Sequence, residues 1–346
     1  DYERVRFVLR SLKKDAGLAL KLMAEQLRDP AFPEDELGKQ IQQWKVSIHE
    51  AMGDTLSQAL SALSRKVYPP SHPHYQIPFE KQLQNLDEVT MDKIKKFHED
   101  HYGPQNARLV AVGDIDAQML EDAIRNSFEG WVKKKTSRPY TTKVPLKTQP
   151  VREVIPLPDK PNIDVVFGHA LPLDRRSKFY LPLYLSNFIL GGDFSARLAN
   201  TVRDDQGLTY HIQSEMAGIE KDIQGHWQIN VILNAETVNE GIEAVRKQLN
   251  FFVEKGIRPQ ELTDRKNTVI GIFKVRLSSS HGLANQILRS EELGLGFAYL
   301  DRFQELVQAV TLRQANHVVQ RFLHPDQLNI VMAGSLENNF PESEKK

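Results

Sequence analysis

The segment from Arg203 to Tyr210 carries the residue types best suited to stabilising a developing negative charge. Arginine presents a fixed positive charge on a planar fork of donors, and a tyrosine hydroxyl can donate a hydrogen bond to an oxyanion. Gly207 allows a left-handed turn between a helix end and a strand start, so the two side chains can face a shared groove. A second reading stays open, in which Arg203 pairs with Asp204 or Asp205 and Tyr210 packs in the core.

Two closely spaced histidine pairs are candidate metal ligands. His98 and His101 are three residues apart near the end of a predicted helix, which is not the spacing of an H-E-x-x-H zinc site. Their positions also suit the negative end of a helix dipole or a core contact. His72 and His74 lie in a proline-rich loop that either chelates a metal weakly or forms a structured turn. We interpret both pairs as structural.

The composition excludes several classes of site. The chain has no cysteine, which excludes disulfides, thiolate zinc sites and a cysteine nucleophile. Its 45 basic and 45 acidic residues balance, which argues against a general binder of nucleic acids or anionic membranes. The G-x-G-x-x-G, P-loop and G-x-S-x-G motifs are absent. No apolar run reaches the roughly 18 residues that a membrane span requires.

The chain contains an internal repeat, which indicates that it consists of two related α/β halves. Residues 89–116 and 310–337 align without a gap at an offset of 221 residues. Each copy opens with Val-Thr, where the threonine can cap a helix, and then runs through a proline into a short apolar strand that ends at glycine. Upstream, residues 5–9 and 229–233 alternate like strands, and each is followed by an amphipathic helix and a helix that opens with proline.

The second half has an additional front segment, residues 153–225. It is predicted to form strands at 163–169 and 209–215 and helices at 179–190 and 195–203. The first half contains no counterpart of this segment. The repeat therefore implies that the first unit lacks roughly seventy residues at its front, and that the chain is truncated, processed or part of a longer protein.

The same patterns give the expected domain organisation. A first domain covers residues 1–130 and a second covers residues 153–340. Between them, residues 131–152 form a basic, proline-containing linker, and residues 341–346 form a polar tail.

Four motifs follow one another along the chain. They are Asp29–Pro33, His101–Asn106 with Leu109–Asp114, Leu190–Leu198 followed by Arg203–Tyr210, and Gly256-Ile257 with Glu261-Leu262. Together they resemble the pitrilysin/insulinase family of zinc metallopeptidases, the inverzincins. The resemblance covers essentially the whole chain.

The resemblance implies a tandem of homologous α/β (α+β) domains, each a mixed or antiparallel sheet faced by helices, with the first domain incomplete. It also implies that Arg203 and Tyr210 hold the substrate backbone and the oxyanion in a cavity between the domains. The zinc motif of the family, H-x-x-E-H, does not occur in this sequence. The family's third zinc ligand is a glutamate on the helix holding residues 42–52, where Glu50 is the nearest acid, but the alignment places that ligand nearer residues 47–49.

Two functions follow from the resemblance. The first is a zinc metalloendopeptidase that cleaves peptides or unfolded chains. This chain lacks the catalytic centre of such an enzyme and is expected to be inactive alone. The second is a non-catalytic subunit or peptide-binding module that pairs with an active partner or forms a homodimer. We expect zinc in the family but none bound by this chain, and no nucleic-acid partner or membrane span. The family and the lack of cysteine suggest a bacterial periplasmic or membrane-associated setting.

Overall fold

The computed structural model describes residues 4–134, 141–145 and 149–336. Within these ranges the chain forms twelve α-helices, one π-helix and five strands. The helices are α1 (Ala16–Arg28), α2 (Glu34–Gly53), α3 (Thr55–Val67), α4 (Phe79–Asp87), α5 (Met91–His101), α6 (Ala117–Phe128), α7 (Tyr180–Gly191), the π-helix (Ala199–Asp205), α8 (Val238–Lys255), α9 (Pro259–Leu277), α10 (Ser280–Glu292), α11 (Ala298–Ala309) and α12 (Leu312–Phe322). The strands are β1 (Arg152–Pro156), β2 (Asn162–Leu171), β3 (Ile212–Ala217), β4 (Gly225–Asn234) and β5 (Asn329–Gly334).

The chain divides into two compact units whose segments interleave along the sequence. The first unit comprises Asp1–Ile48, Phe79–Pro139 and Val275–Glu291, and the second comprises His49–Pro78, Tyr140–Lys274 and Glu292–Lys346. These units describe packing, whereas the boundaries near residues 130 and 153 come from the internal repeat. Those boundaries therefore remain a prediction.

A five-stranded mixed sheet organises the second unit, in the order β1-β5-β2-β4-β3. Strands β1 and β5 are parallel, and the other neighbours are antiparallel. The sequence predicted β2 at residues 163–169 and the centre of β4 at residues 229–233, where apolar residues fill a strand-length run. The mixed sheet faced by helices confirms the expected α/β class.

Helices cover both faces of this sheet. Side chains of β2 such as Val165 and Phe167 are fully buried in the larger core, to which α7, α8, α9 and α12 contribute. Val166 faces the opposite side and packs against α3, where Leu63 is also fully buried. A Cβ atom at Gly168 would lie 2.8 Å from Leu63 Cδ2, so glycine lets α3 approach the strand closely.

The described residues of the first unit form helices and loops without a strand. Helix α1 packs beside α6, and Arg28 on α1 donates from Nη1 to the Ser127 carbonyl at 2.8 Å. The strand predicted at residues 5–9 is wrong in this structure, because the segment pairs with no strand among the described residues. An alternating pattern makes a stable strand only where a neighbouring strand takes up its backbone hydrogen bonds.

The local chemistry of the repeat is present in both copies. Thr90 caps α5 by accepting from the Lys93 amide at 3.3 Å, and Thr311 caps α12 by accepting from the Gln314 amide at 3.2 Å. Both helices have 11 residues, and a 3-10 turn begins at the proline that follows each of them. The predicted threonine caps are confirmed.

Candidate functional site

A tight turn after α7 displays the side chain of Phe194. The Ala196 amide donates to the Asp193 carbonyl at 3.1 Å, which makes Phe194 the second residue of the turn. The Asp193 carboxylate accepts from the Ser195 amide at 2.9 Å and from Arg265 Nη1 at 2.6 Å. Arg265, which lies on α9, also donates to the Ser195 carbonyl. These bonds fix the backbone of the turn.

Arg203 lies on the π-helix that follows this turn. A π-helical turn is rare and frequently marks a functional site. Arg203 Nε and Nη2 donate to the two Asp204 carboxylate oxygens at 2.7 and 3.1 Å. Nη2 also donates to the Phe194 carbonyl at 3.0 Å. The guanidinium carbon lies 5.5 Å from the centre of the Phe194 ring, a distance at which a cation–π attraction operates.

The ion pair with Asp204 leaves one nitrogen of the Arg203 guanidinium, Nη1, without a hydrogen bond within the described ranges. The hydrogen bond between the two side chains raises the pKa of Arg203 and lowers the pKa of Asp204. Within the described ranges, Arg203 Nη1 has no hydrogen-bond partner. Its two N–H groups can therefore donate to a ligand without disturbing the existing bonds.

Tyr210 follows a backbone segment that is held at several points. The Gly207 amide donates to the Arg203 carbonyl at 3.0 Å, and Gly207 has a φ of 65°, a left-handed conformation that favours glycine. The Thr209 hydroxyl donates to the Ile232 carbonyl at 2.6 Å. Tyr210 itself is 92% exposed. The phenol is thus presented to solvent just before edge strand β3.

The structure contains elements of both sequence readings of this segment. Arg203 pairs with Asp204, as the second reading expects, but Tyr210 lies on the surface and not in the core. Hydrogen bonds connect Arg203 to the Phe194 turn and, through Gly207, to the segment that leads to Tyr210. The predicted helix at 195–203 is present as the π-helix and its preceding residues.

Sequence reasoning missed a shielded ion pair that joins two of the motifs. Arg197 Nε and Nη2 donate to the Glu261 carboxylate at 2.7 and 2.6 Å, and Nη2 also donates to the Gly256 carbonyl at 2.8 Å. Burial acts to raise the pKa of Glu261, but the hydrogen bonds from Arg197 and Arg258 outweigh it and lower the pKa to about 2. The motif residues Arg197 and Glu261 therefore have a structural role, holding the segment after the turn to the start of α9.

Comparison with known proteins identifies the family. The family profile described as "Peptidase M16 inactive domain" matches residues 88–269, more than half of the chain. The chain belongs to the M16 peptidase family. This confirms the resemblance to zinc metallopeptidases that the four motifs carry, and the matched region contains Arg203 and Tyr210.

The relatives of this M16 chain include proteins with and without a peptidase name. It is 22% identical over 344 residues to "Non-peptidase homolog YmxG" of Helicobacter pylori, covering 96% of this chain and 76% of that protein. It is 23% identical over 212 residues to "Uncharacterized zinc protease SCO5738" of Streptomyces coelicolor, covering 60% of this chain. The match spans only 46% of the length of that Streptomyces protein.

A solved structure shows the same fold. The peptidase M16 inactive domain from Pseudomonas fluorescens superposes with a TM-score of 0.79 at 24% identity, covering 95% of this chain and 77% of that one. In the described part of this M16 chain, none of the helices combines the length and the apolar character needed to cross a lipid bilayer.

The acidic and histidine candidates for zinc do not converge in this M16 chain. Within the described residues, no three His, Asp or Glu side chains are grouped so that they could hold a metal ion. Glu50 is exposed on α2. His98 donates from Nε2 to the Leu27 carbonyl at 2.8 Å, and His72 is buried in a turn with its ring stacked on Tyr68. The described residues do not fit a zinc centre.

A buried polar chain on the α3 side of the sheet was also missed from the sequence. The Tyr68 hydroxyl lies 2.6 Å from His226 Nδ1, and His226 Nε2 lies 2.6 Å from Gln228 Oε1. Gln228 in turn donates to Glu215. Burial lowers the pKa of His226 to about 4, so the ring is neutral, accepts from Tyr68 and donates to Gln228. Tyr68 and His226 are 158 residues apart, and no local pattern indicates such a pair.

Proposed function

We propose that this chain is a non-catalytic, polypeptide-binding member of the M16 family. In this proposal Arg203 and Tyr210 bind the backbone of an extended peptide or unfolded chain. The catalytic centre with its H-x-x-E-H motif belongs to another polypeptide segment, either elsewhere in the same protein or in a partner subunit. This chain then contributes substrate contacts to cleavage that takes place elsewhere.

The observation that carries the proposal is the exposure of Tyr210 on a fixed backbone. Thr209 beside it is buried and hydrogen-bonded, whereas the Tyr210 ring is 92% exposed. The fixed backbone limits the region that the phenol can reach, and its hydroxyl is available to donate to a peptide carbonyl. Arg203 Nη1 supplies two further donors that are available in the same way. Three hydrogen bonds already hold the Arg203 guanidinium, so it loses little entropy when a ligand binds.

The family comparison supports the non-catalytic part of the proposal. The matching profile describes an inactive domain, and the Helicobacter relative is named as a non-peptidase homologue. The Streptomyces relative is named as a zinc protease. The zinc-binding segment could therefore lie in the same protein as this chain. Arg203 and Tyr210 would then make the same substrate contacts within one polypeptide.

Peptide binding tests the proposal directly. The probe is a short fluorescein-labelled peptide without helical propensity, and its anisotropy is measured against the concentration of the chain. Tyr210→Phe should weaken binding about three- to tenfold, since one hydrogen bond contributes about 0.5–1.5 kcal/mol. Arg203→Lys should also weaken binding, because a point charge cannot replace the planar fork. The melting temperature of the Tyr210→Phe variant should stay that of the wild type, because the side chain is exposed.

Two controls make this experiment specific. Arg246→Lys makes the same change in another partly exposed arginine, which pairs with Glu243 at 3.1 Å on α8, and should leave peptide binding unchanged. Tyr299→Phe removes a hydroxyl that accepts from Arg175 Nη2 at 2.8 Å, and should lower the melting temperature without affecting binding. Peptide binding that is absent, or that Arg246→Lys weakens as much as Arg203→Lys does, would contradict the proposal.

Metal analysis tests the non-catalytic part. We expect less than stoichiometric zinc after the purified chain is incubated with zinc chloride and then dialysed, because a catalytic zinc requires three fixed protein ligands. The same preparation should not hydrolyse the labelled peptide. One tightly held zinc per chain, or hydrolysis that a chelator abolishes, would show that a catalytic centre is present.

A further inference from the structure

Phe194 is the most conspicuous apolar side chain near Arg203. It is 76% exposed at the second position of the turn that follows α7. This position of a turn accepts most residue types, so the turn itself does not require an aromatic ring. Single exposed apolar residues are common on protein surfaces. What distinguishes Phe194 is its fixed backbone and its contact with Arg203.

The turn is rigid although its largest side chain is in solvent. Arg265 binds the Asp193 carboxylate on one side of Phe194 and the Ser195 carbonyl on the other. The Arg265 and Asp193 side chains are only 14% and 26% exposed, so this anchor is shielded. The backbone of Phe194 is therefore fixed, and its ring, which is 76% exposed, presents apolar surface to a ligand.

Arg203 contacts Phe194, so the Phe194 ring lies beside one of the two residues proposed to bind the peptide backbone. The guanidinium binds the Phe194 carbonyl at 3.0 Å and lies 5.5 Å from the ring centre. A ligand group that accepts from Arg203 Nη1 is therefore brought beside the ring. An extended peptide places a side chain on alternate faces at every residue, so a backbone group held by Arg203 has a neighbouring side chain within reach of the ring.

We infer that Phe194 is a specificity-determining residue that binds an aromatic or large aliphatic side chain of the polypeptide held by Arg203. The inference rests on the proposed function, since it needs a peptide at Arg203, but it adds a preference that the two hydrogen-bonding residues cannot supply. Arg203 and Tyr210 bind groups that every peptide has. Phe194 distinguishes one peptide from another.

A matched pair of peptides tests the inference. Two fluorescein-labelled peptides of otherwise identical, unstructured sequence carry either phenylalanine or serine at one central position. The wild-type chain should bind the phenylalanine peptide about tenfold more tightly, which is the size expected for burying one large apolar side chain. Phe194→Ala should reduce this ratio to about one by weakening the phenylalanine peptide alone. Phe194→Leu should restore most of the ratio, because it restores apolar surface.

The controls separate this inference from the proposed function. Phe194→Ala should not lower the melting temperature, since the ring is exposed. Phe297→Ala removes another exposed ring, on a different element, and should leave the ratio unchanged. If both peptides bind and respond to Arg203→Lys, but Phe194→Ala leaves their ratio unchanged, the inference is wrong and the proposed function stands. If neither peptide binds the wild-type chain, both are wrong.

Discussion

Helices α5 and α12 are the two copies of one repeated element, yet their surroundings differ. They correspond residue for residue at an offset of 221, and each is capped by a threonine. Phe97 on α5 is 57% exposed, whereas its counterpart Val318 on α12 is 1% exposed. The same local structure therefore forms whether or not a core covers it, because a cap is made from neighbours in sequence.

The strands that accompany these helices behave differently. In the second unit β5 pairs with β1 on one side and β2 on the other. Its counterpart, residues 108–113, forms no strand. Likewise Val5 is 61% exposed, whereas its counterpart Ile229 on β4 is fully buried. In the second unit β2 lies between β4 and β5, and the described part of the first unit has no strand in that role. A strand depends on its neighbours for hydrogen bonds and burial, unlike a capped helix.

The largest effect is expected when the same substitution is made separately at matching positions of the two copies. Val331 on β5 is fully buried, and its identical counterpart Val110 is partly exposed. Val331→Asp should cost more than about 4 kcal/mol, because it buries a charge without a partner. Val110→Asp should cost about 1 kcal/mol or less. Urea unfolding measures the free energy of unfolding of both variants. Similar losses would contradict the view that only the second copy of this segment is buried.

The two units should also differ in what an ion pair contributes. The Arg197 and Glu261 side chains are 12% and 17% exposed, whereas Lys39 and Glu36 in the first unit are 60% and 50% exposed. Glu261→Gln should cost about 3 kcal/mol at neutral pH, because it leaves the shielded Arg197 charge without its ionised partner. Glu36→Gln should cost less than about 0.5 kcal/mol.

The pH dependence provides a check on this pair. Since folding lowers the pKa of Glu261, its contribution is complete above pH 4.5 and is lost as the pH falls towards 2. Glu261→Gln should therefore flatten the stability profile of the chain over this range. A profile with the same slope in both proteins would show that the pair contributes little.

A buried histidine in the second unit should make it sensitive to mild acid. His169 Nδ1 donates to the Ala170 carbonyl at 2.9 Å, and Nε2 accepts from the His324 amide at 3.3 Å, so the neutral ring is satisfied. Burial lowers its pKa from 6.5 to about 4. The unfolded chain therefore binds a proton first, and stability should fall by about 3 kcal/mol as the pH drops from 6.5 to 4.

The test is a series of urea unfolding curves across this pH range. His169→Gln keeps a donor for Ala170 but does not titrate, so its stability should decline less steeply. If the variant follows the same pH dependence as the wild type, His169 is not the responsible group. His226, whose pKa burial also lowers to about 4, is then the next residue to replace.

The smallest difference between the two copies is expected at the helix caps. Thr90→Ala and Thr311→Ala each remove a helix cap, and each should cost about 1 kcal/mol. Thr311 should cost slightly more, because Gln314 completes a reciprocal capping box there. Hydrogen exchange at the first turns of α5 and α12 measures each loss locally. A large loss at one helix and none at the other would contradict the view that the caps act independently of the core.

The sequence by itself determined the local structure and the family. Threonine caps, prolines at turns and short apolar runs predicted α5, α12, β2 and β4, because each signal lies within a few residues of the element that it specifies. The motif order indicated the M16 family before any contact was known. The same local signals, together with this resemblance, predicted a role for Arg203 and Tyr210, which remains a prediction.

Only the tertiary structure decided which distant residues meet. Helix α3 packs on the sheet of the second unit although it lies in the first quarter of the chain. Arg197 finds Glu261 across 64 residues, and Asp193 is held by Arg265 across 72. The alternating pattern at residues 5–9 did not produce a strand, whereas the similar pattern in β4 did. Pairing and burial depend on what the rest of the chain places alongside, and a local pattern does not contain that information.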